Sequence, residues 1–345
     1  MGSYVCFEDS EVVQPKSMKT LVLSQTEVSE LLPTKECIAV MREALLALAN
    51  GNAYQPLRTI IRPPDAQGVM GLMPSYASGD HAAFGLKAIC VLPGNPAKGL
   101  DSHQGGVLLF SAETGELLAI MNASAITAIR TAAVSGVATD VLAQPGASEL
   151  AVIGSGVQAR SHLAAMAEVR SLKRCRVASR NFAHAQSFCE EMQKEFPFPL
   201  AASETVEAAL SGADLIVTTT TSREPILKRE WISAGAHLNL VGSSTAKTRE
   251  VDSETMAAVS LFVDRRESTL NESGDYLLAV RDGAIGPDHI RAELGEVLKG
   301  DRPGRTSTEE LTCFKSLGIG VEDLFAAQYV YRRAKEKNAG SWVSF

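Results

Sequence analysis

The apolar positions of the chain follow one pattern in its N-terminal part and another in its middle. Between residues 54 and 120, short apolar runs alternate with turns rich in Pro, Gly and Asn, which is typical of β-structure. The predicted strands cover residues 59–61, 69–72, 85–92, 106–110 and 117–121, with a hairpin loop at 112–115. Apolar residues at helical spacing predict helices over residues 25–50 and 124–143, on either side of this region.

From residue 149 to about residue 264, strands alternate with helices. The predicted strands cover 150–153, 175–178, 215–219, 237–241 and 261–263, with helices over 182–195 and 204–211 between them. This alternation predicts a parallel sheet with helices on both faces, whose ligand crevice lies at the carboxyl ends of the strands. A last helix, over about 321–337, carries Glu322 and Asp323 at its start, where the helix dipole favours negative charge.

These patterns predict an α/β protein in which a central Rossmann-type, doubly wound parallel sheet interrupts a discontinuous α+β domain. Residues 1–20 are expected to form an N-terminal tail, residues 21–145 the first part of the α+β domain, and residues 146–311 the Rossmann domain. Residues 312–345 are expected to return to the α+β domain as a segment and a helix.

A glycine motif follows the buried strand predicted at 150–153 and opens a helix. Gly154 allows a tight turn, Gly156 lets a pyrophosphate approach the backbone, and Ala159 lets the helix pack closely on the strand. The N–H groups and the dipole at the helix start then face the phosphates. The alternative is an ordinary glycine-rich turn between a strand and a helix, but the flanking strand and helix favour a dinucleotide site.

Composition narrows the function classes. The 345 residues carry a net charge of −7, which argues against general binding to nucleic acid or to an anionic membrane. The apolar runs fall short of the ~20 residues that span a bilayer, and the N-terminus lacks the pattern of a signal peptide. The six cysteines and six histidines are scattered without ligand spacing, so no metal site is expected and the reducing cytoplasm is the predicted compartment.

A spaced set of short motifs makes a family recognisable. These motifs are Arg58; Met73 and Pro74; Gly85 to Lys87; Pro93 to Pro96; Gly99 to Gly105; Glu113 to Gly115; Thr127 to Ala133; Val241 to Ser243; Arg249 and Glu250; and Phe314 to Gly318. Over roughly residues 20–340 the chain resembles the ornithine cyclodeaminase/μ-crystallin family. The resemblance implies a homodimer in which the α+β domain binds substrate and dimerises. It also implies a nicotinamide cofactor and a small 2-imino or 2-amino carboxylate as substrate.

Three basic residues match the substrate-binding positions of that family. Arg58 and Arg130 can clamp a carboxylate with paired hydrogen bonds, and Lys87 can supply a charge or, with a lowered pKa, a proton. Lys87 and Arg130 lie in apolar or small-residue runs, where a charge needs a partner. Solvated surface charges are the alternative. We expect Lys87 to be catalytic, and Arg58, Lys87, Arg130 and Leu317 to bind substrate.

A larger set matches the cofactor-binding positions. Its members are Ser102, Arg130, Thr131, Gly154, Gly156, Val157, Gln158, Ser179, Arg180, Thr219, Val241, Gly242, Ser243 and Ser316. His103 and Gln104 flank Ser102 and either face the site or lie in an exposed loop. The strand at 175–178 ends in Ser179, Arg180 and Asn181 rather than in an acid that would bind the ribose, which favours NADP over NAD.

One position separates branches of the family. Cyclodeaminases carry an aspartate two residues after the Val-Gly turn, and here that position is Ser244. A serine hydroxyl without a partner is a poor general base. The sequence therefore favours NAD(P)H-dependent reduction of a cyclic ketimine carboxylate to proline or pipecolate. Ornithine cyclodeaminase, an alanine dehydrogenase-like oxidoreductase and a non-enzymatic NADP- and ligand-binding protein remain as alternatives.

Overall fold

Residues 19–344, which the computed structural model describes, form two eight-stranded sheets joined by helices. The first sheet contains β1 (Lys19–Leu23), β2 (Ala53–Tyr54), β3 (Thr59–Ile61), β4 (Val69–Ala77), β5 (Ala83–Val91), β6 (His103–Ser111), β7 (Leu117–Asn122) and the last strand, β16 (Ser341–Ser344). The second contains β8 (Glu149–Ile153), β9 (Arg174–Ala178), β10 (Leu200–Ser203), β11 (Leu215–Thr218), β12 (His237–Leu240), β13 (Ser260–Val263), β14 (Ile290–Glu293) and β15 (Thr312–Lys315).

The helices fill the space beside and between the sheets. In chain order they are α1 (Gln25–Leu31), α2 (Thr34–Ala49), α3 (Ala123–Leu142), α4 (Val157–Val169), α5 (Phe182–Met192), α6 (Val206–Leu210), α7 (Ser253–Ala258), α8 (Arg266–Glu272), α9 (Gly274–Arg281), α10 (Leu294–Lys299) and α11 (Gly320–Lys337).

The first sheet is mixed, with the strand order β16-β1-β7-β6-β5-β4-β2 and with β3 beside β4. Side chains alternate between its two faces, as the strand period requires. The inner face, which includes Val107 and Leu109, packs against α3 and α11, and α2 packs on these two helices in one continuous core. Lys87 lies on this inner face between buried neighbours of β5, so its charge points toward the core rather than toward solvent.

The second sheet is entirely parallel, with the order β10-β9-β8-β11-β12-β15-β13-β14. Its first six strands reproduce the doubly wound dinucleotide-binding order, in which the chain reverses direction across the sheet between β8 and β11. The carboxyl ends of β8, β11 and β12 therefore line the crevice where a ligand binds. The predicted fold class is confirmed.

Two element bounds differ from the prediction. The helix expected over 25–50 is two helices, because Pro33 has no N–H and restricts the residue before it. The segment 312–315, expected to belong to the returning part of the chain, is β15, which pairs with β12 on one side and β13 on the other. The crossing back to the first sheet therefore begins at residue 316.

The first sheet also begins earlier than the predicted end of the N-terminal tail. Residues 19 and 20, assigned to the tail, belong to β1, which pairs with β7 and with β16. The rest of the predicted tail lies outside the described residues. Three short strands of the second sheet, β10, β14 and β15, were absent from the predicted set, because each has only four residues and little apolar alternation.

Helix α3 joins the two halves of the chain. It carries Arg130 toward the first sheet, and its Thr139 hydroxyl accepts a hydrogen bond from Asn239 Nδ2 on β12 at 2.9 Å. Its Ser135 hydroxyl bonds to His162 of α4 at 3.0 Å. Within residues 19–344, α3 alone has the length and apolar composition to cross a bilayer, and 72% of that window is buried inside the protein. Helix α3 is therefore the central helix of the protein core.

Candidate active site

The turn between β8 and α4 has the shape of a phosphate site. Gly154 has φ of +122°, and a Cβ there would lie 2.6 Å from Thr219 Oγ1, so both conformation and space require glycine. Gly156 forms the N-cap of α4, no side chain caps the helix, and a Cβ at Gly156 would meet open space. The first N–H groups of α4 are therefore free to bind an anion.

Further predicted residues lie at the same edge of the second sheet. The Thr219 N–H donates to Ile153 O at 2.8 Å, and the Val241 N–H donates to Thr218 O at 3.0 Å. The Ser316 N–H donates to Leu240 O at 3.0 Å. These bonds place the ends of β8, β11, β12 and β15 side by side.

Two buried polar atoms at this edge lack a protein partner. Neither Gln158 Oε1 nor Ser316 Oγ has a hydrogen bond within the described part of the chain. Buried polar groups are almost always satisfied by a partner. Together with the open helix terminus, these atoms fit a dinucleotide lying along the edge, whose nicotinamide ring would supply hydride chemistry.

Three other candidates for cofactor binding have distinct surroundings. Ser179 accepts a hydrogen bond from the Ser155 hydroxyl at 3.1 Å, directly beside the glycine turn. Arg180 follows it, exposed and without an ion-pair partner among residues 19–344. The Ser243 side chain is buried and bonded to Thr248, so only its backbone is available to a ligand.

The first domain contributes a pair of buried cations. Lys87 and Arg130 are 2% and 3% exposed. Lys87 Nζ lies 2.7 Å from Asp323 Oδ2, and Arg130 Nε lies 3.0 Å from the other oxygen of Asp323. Arg130 Nη1 lies 2.7 Å from Glu322 Oε2. Both cations are therefore directed at buried partners, as their apolar sequence surroundings predicted.

The carboxylates come from the first turn of α11, which lies across the inner face of the first sheet. Burial raises the pKa of Glu322 to about 7, against the lowering effect of Arg130, and the charges of Asp264 and Asp323 raise it further. Burial and the charge of Arg130 lower the pKa of Lys87 to about 8, although Asp323 opposes this. Lys87 is thus able to exchange a proton near neutral pH.

Arg58 completes what we call the cation cluster, which consists of Arg58, Lys87 and Arg130. Its Nε lies 2.8 Å from Glu272 Oε2, and its Nη2 donates to the carbonyls of Leu317 and Gly318, each at 3.0 Å. Gly318 has φ of +74°, and a Cβ there would overlap the guanidinium of Arg130. The segment 317–318 therefore fits between the two arginines.

A buried aspartate fixes that segment. Asp264 Oδ2 accepts the N–H groups of Leu317 and Gly318 at 2.6 and 2.7 Å. Because Ser316 to Gly318 directly follow β15, the cation cluster lies beside the carboxyl edge of the second sheet. The structure thus brings Arg58, Lys87, Arg130 and Leu317 together next to the cofactor candidates.

Each cation keeps donors for a ligand. Among the described residues, Arg58 Nη1, Arg130 Nη2 and two of the three Lys87 N–H groups have no hydrogen-bond partner. Convergent donors of this kind bind a carboxylate strongly, because charge-assisted hydrogen bonds are about twice as strong as neutral ones. The arrangement is suited to a small carboxylate with a basic nitrogen near Lys87.

Two more candidates lie close to this cluster. Thr131 is buried next to Arg130 on α3, and its carbonyl accepts the Ser135 hydroxyl at 3.3 Å. Ser102 Oγ lies 3.0 Å from His103 Nδ1. Burial and the charges of Lys87 and Arg130 lower the pKa of His103. His103 begins β6 and lies on the same face as Val107, which pairs with Lys87, so it is on the same side of the sheet as Lys87.

The carboxylates of the site are not among the site residues predicted from the sequence. Glu322 and Asp323 were interpreted only as partners of the helix dipole, and Asp264 and Glu272 were assigned no role in the site. A usable signal was present for the pair on α11, since Glu322 and Asp323 directly precede the apolar Leu324 and Phe325. Two charges beside a buried apolar stripe require buried partners.

Comparisons with known proteins agree with this architecture. The sequence profile of the ornithine cyclodeaminase/mu-crystallin family matches residues 18–338. The ketimine reductase mu-crystallin of Mus musculus is 41% identical over 313 residues, which covers 90% of this chain and 96% of the mouse protein.

Two solved structures are also similar. The Δ1-pyrroline-2-carboxylate reductase of Thermococcus litoralis, in complex with NADH and L-proline, has a TM-score of 0.91 and 40% identity, and covers 94% of this chain and 100% of its own. An archaeal alanine dehydrogenase dimer with bound NAD has a TM-score of 0.89 and 34% identity, with coverage of 95% and 100%. The chain belongs to the ornithine cyclodeaminase/mu-crystallin family.

Proposed function

We propose that the protein is an NAD(P)H-dependent reductase of a cyclic ketimine carboxylate, Δ1-pyrroline-2-carboxylate or Δ1-piperideine-2-carboxylate, with proline or pipecolate as product. The observation that carries the proposal is the buried Lys87 ammonium, whose pKa is lowered to about 8, between two arginines that keep free donors. The similarity to reductases of this substrate class supports it.

The residues divide the reaction between binding and proton transfer. Arg58 and Arg130 bind the substrate carboxylate and so fix the ring over the edge of the second sheet. Lys87 then gives a proton to the ring nitrogen as the imine carbon becomes tetrahedral, and regains one from solvent. Asp323, at 2.7 Å from Lys87 Nζ, holds the ammonium in place. The bound cofactor supplies the hydride.

Positioning is the main contribution of such a site. The reacting groups are held in one geometry by buried ion pairs, which removes much of the entropic cost of bringing them together. Ser244, at the position of the cyclodeaminase aspartate, is exposed and supplies no carboxylate. The site therefore offers acid catalysis at the nitrogen but no carboxylate base at the lyase position.

The experiment that tests this function compares reactions of the unmutated protein side by side. We expect NADPH oxidation with Δ1-pyrroline-2-carboxylate to run faster than proline formation from ornithine with NAD, and faster than pyruvate formation from alanine. If the ornithine reaction is faster, the protein is a cyclodeaminase and not a reductase. If the alanine reaction is faster, it is an alanine dehydrogenase. Tight NADPH binding without turnover of any of these substrates would indicate a non-enzymatic binding protein.

The Lys87→Met variant tests the proton donor. We expect the rate of imine reduction to fall by ~100-fold or more, the usual contribution of a placed acid. Lys87 donates only while protonated, so kcat/KM of the parent should decline as the pH rises through about 8, and the variant should lack this decline. Steady-state kinetics over a pH series measures both effects.

Lys173→Met is the matched control, because Lys173 is an exposed lysine between α4 and β9. It should keep both the parent rate and the parent pH profile. NADPH affinity of Lys87→Met should stay near that of the parent. An unchanged rate in Lys87→Met would contradict the role of Lys87 as the proton donor.

For the cofactor, we propose a preference for NADPH over NADH. Arg180 is exposed beside the glycine turn, and no acidic residue follows β9 at the position that binds an NAD ribose. Arg180→Asp should therefore shift the ratio of kcat/KM values toward NADH, since the new carboxylate repels the 2′-phosphate. Lys194→Asp, the same charge reversal on an exposed lysine of the same domain, should leave the ratio unchanged. Equal kinetics of the parent with both cofactors would contradict the preference.

We also propose a homodimer, consistent with the dimer named for the archaeal relative. The outer face of β4 to β7 is apolar and unpartnered within the described residues. Phe84 on this face is 49% exposed, and its ring centroid lies 4.8 Å from that of Tyr76. Two copies of this chain can cover these faces through a symmetric contact. The cytoplasm remains the proposed compartment, since five cysteines of residues 19–344 are free thiols.

Phe84→Asp should therefore convert the dimer to monomers in sedimentation, because it places a charge in the apolar contact. Leu270→Asp is the control, since Leu270 is a 45% exposed leucine on α8 and does not belong to the apolar face of β4 to β7. A parent protein that sediments as a monomer at micromolar concentration would rule out the dimer.

A further inference from the structure

Three charged side chains that the proposed reaction does not use are buried in the second domain. Glu250, Asp275 and Lys315 are 0%, 1% and 0% exposed. They come from the loop after β12, the start of α9 and the end of β15. Glu250 and Lys315 contact the turn formed by residues 240–243, at the carboxyl edge of the second sheet, and Asp275 contacts both of them.

Glu250 joins the ends of two strands. Its Oε1 accepts the N–H and the hydroxyl of Thr220, at 2.8 and 2.7 Å. Its Oε2 accepts the hydroxyl of Thr218 at 2.7 Å and the N–H of Gly242 at 2.8 Å. Each oxygen therefore accepts one backbone N–H, and only a carboxyl group provides an acceptor at both places. A Cβ at Gly242 would overlap this carboxylate, so glycine is required there.

Lys315 holds the other side of the same turn. Its Nζ donates to Ser243 O at 2.6 Å and to Leu240 O at 3.3 Å, and it lies 3.0 Å from Asp275 Oδ2. Asp275 Oδ1 in turn accepts the N–H of Glu250 at 2.7 Å. The three side chains form one connected network, in which the ammonium donates to two carbonyls and forms an ion pair with Asp275.

A network of this kind is a poor device for stability alone. Taking charges out of water costs several kcal/mol per ion, and apolar replacements of buried ion pairs are often neutral or stabilising. What the network does provide is a fixed backbone at 240–243. Several buried contacts to one turn are expected where a binding site requires the backbone to be held in one precise position.

The position of the turn indicates which part of the ligand it serves. The phosphate site lies at Gly156, on the β8 side of the point where strand order reverses, and the adenosine half extends toward β9. The other half of the dinucleotide then lies beyond that point, over β11 and β12. These are the two strand ends that Glu250 joins.

We infer that Glu250, Asp275 and Lys315 are positioning residues that fix the 240–243 turn as the wall of the nicotinamide half of the cofactor site. The inference rests on the proposed function only in its use of a nicotinamide dinucleotide, and it is independent of the substrate. It assigns to these residues no contact with the cofactor and no role in the adenosine half.

The test compares a whole cofactor with a fragment that lacks the nicotinamide. Binding of NADPH and of 2′-phospho-ADP-ribose to Glu250→Gln is measured by calorimetry, and NADH is likewise paired with ADP-ribose. In either orientation of its amide, the Gln side chain places its NH2 group against one of the two backbone N–H groups that Glu250 accepts, those of Thr220 and Gly242. We expect the affinity for NADPH to fall about tenfold or more, as for a buried donor left unsatisfied, and the affinity for the fragment to stay within about twofold of the parent.

The controls separate positioning from general damage. Glu310→Gln alters a half-buried carboxylate at the opposite edge of the same sheet, bonded to Ser260, and should change neither affinity. If Glu250→Gln does not fold, Thr218→Val is the substitute, because it removes one hydroxyl bond to Glu250 with little change of side-chain shape. It should lower the affinity for NADPH less than Glu250→Gln would, and again leave the affinity for the fragment unchanged. Equal losses for cofactor and fragment, or no loss for either, would overturn the inference. Because no imine is present, failure of the reductase proposal would leave this result unaffected.

Discussion

The contact between α11 and the first sheet combines apolar packing with buried ion pairs, and the proposed substrate site depends on those pairs. Lys87 and Arg130 each contact one oxygen of Asp323, so the loss of either cation leaves one buried carboxylate oxygen without its charged partner. Removing one partner of a buried ion pair lowers the stability of the fold by about 3–5 kcal/mol, because the other charge is left uncompensated. These ion pairs therefore fix α11 and the Lys87 ammonium relative to each other.

Features that depend on adjacent residues were predictable from the sequence, whereas contacts between residues far apart in the chain were not. The glycine turn at Gly154 and Gly156 depends on a few adjacent residues, and the structure places it between β8 and α4 as expected. The burial of Lys87 and Arg130 followed from their apolar neighbours. Their partner Asp323, however, is 193 residues from Arg130 along the chain, and no local pattern connects them.

The errors in element bounds have the same origin. Pro33 does mark a break, but the apolar spacing on both sides continues across it, so the pattern alone predicts one helix. The strand at 312–315 is short and follows a long irregular segment, and its pairing with β12 and β13 is set by the sheet rather than by its own four residues. Tertiary pairing decides the conformation of segments whose own preference is weak.

The charged residues of the proposed substrate site come from separate parts of the chain. The cations come from the first domain, whereas Asp264 and Glu272 come from the second and Asp323 comes from the returning helix. A nucleotide-binding domain exchanged between relatives would bring its own carboxylates against the recipient's arginines. Such a chimera would alter the charge balance around the substrate without replacing any of the three cations. Domain shuffling in this architecture is therefore constrained by electrostatic compatibility as well as by the fit of the interface.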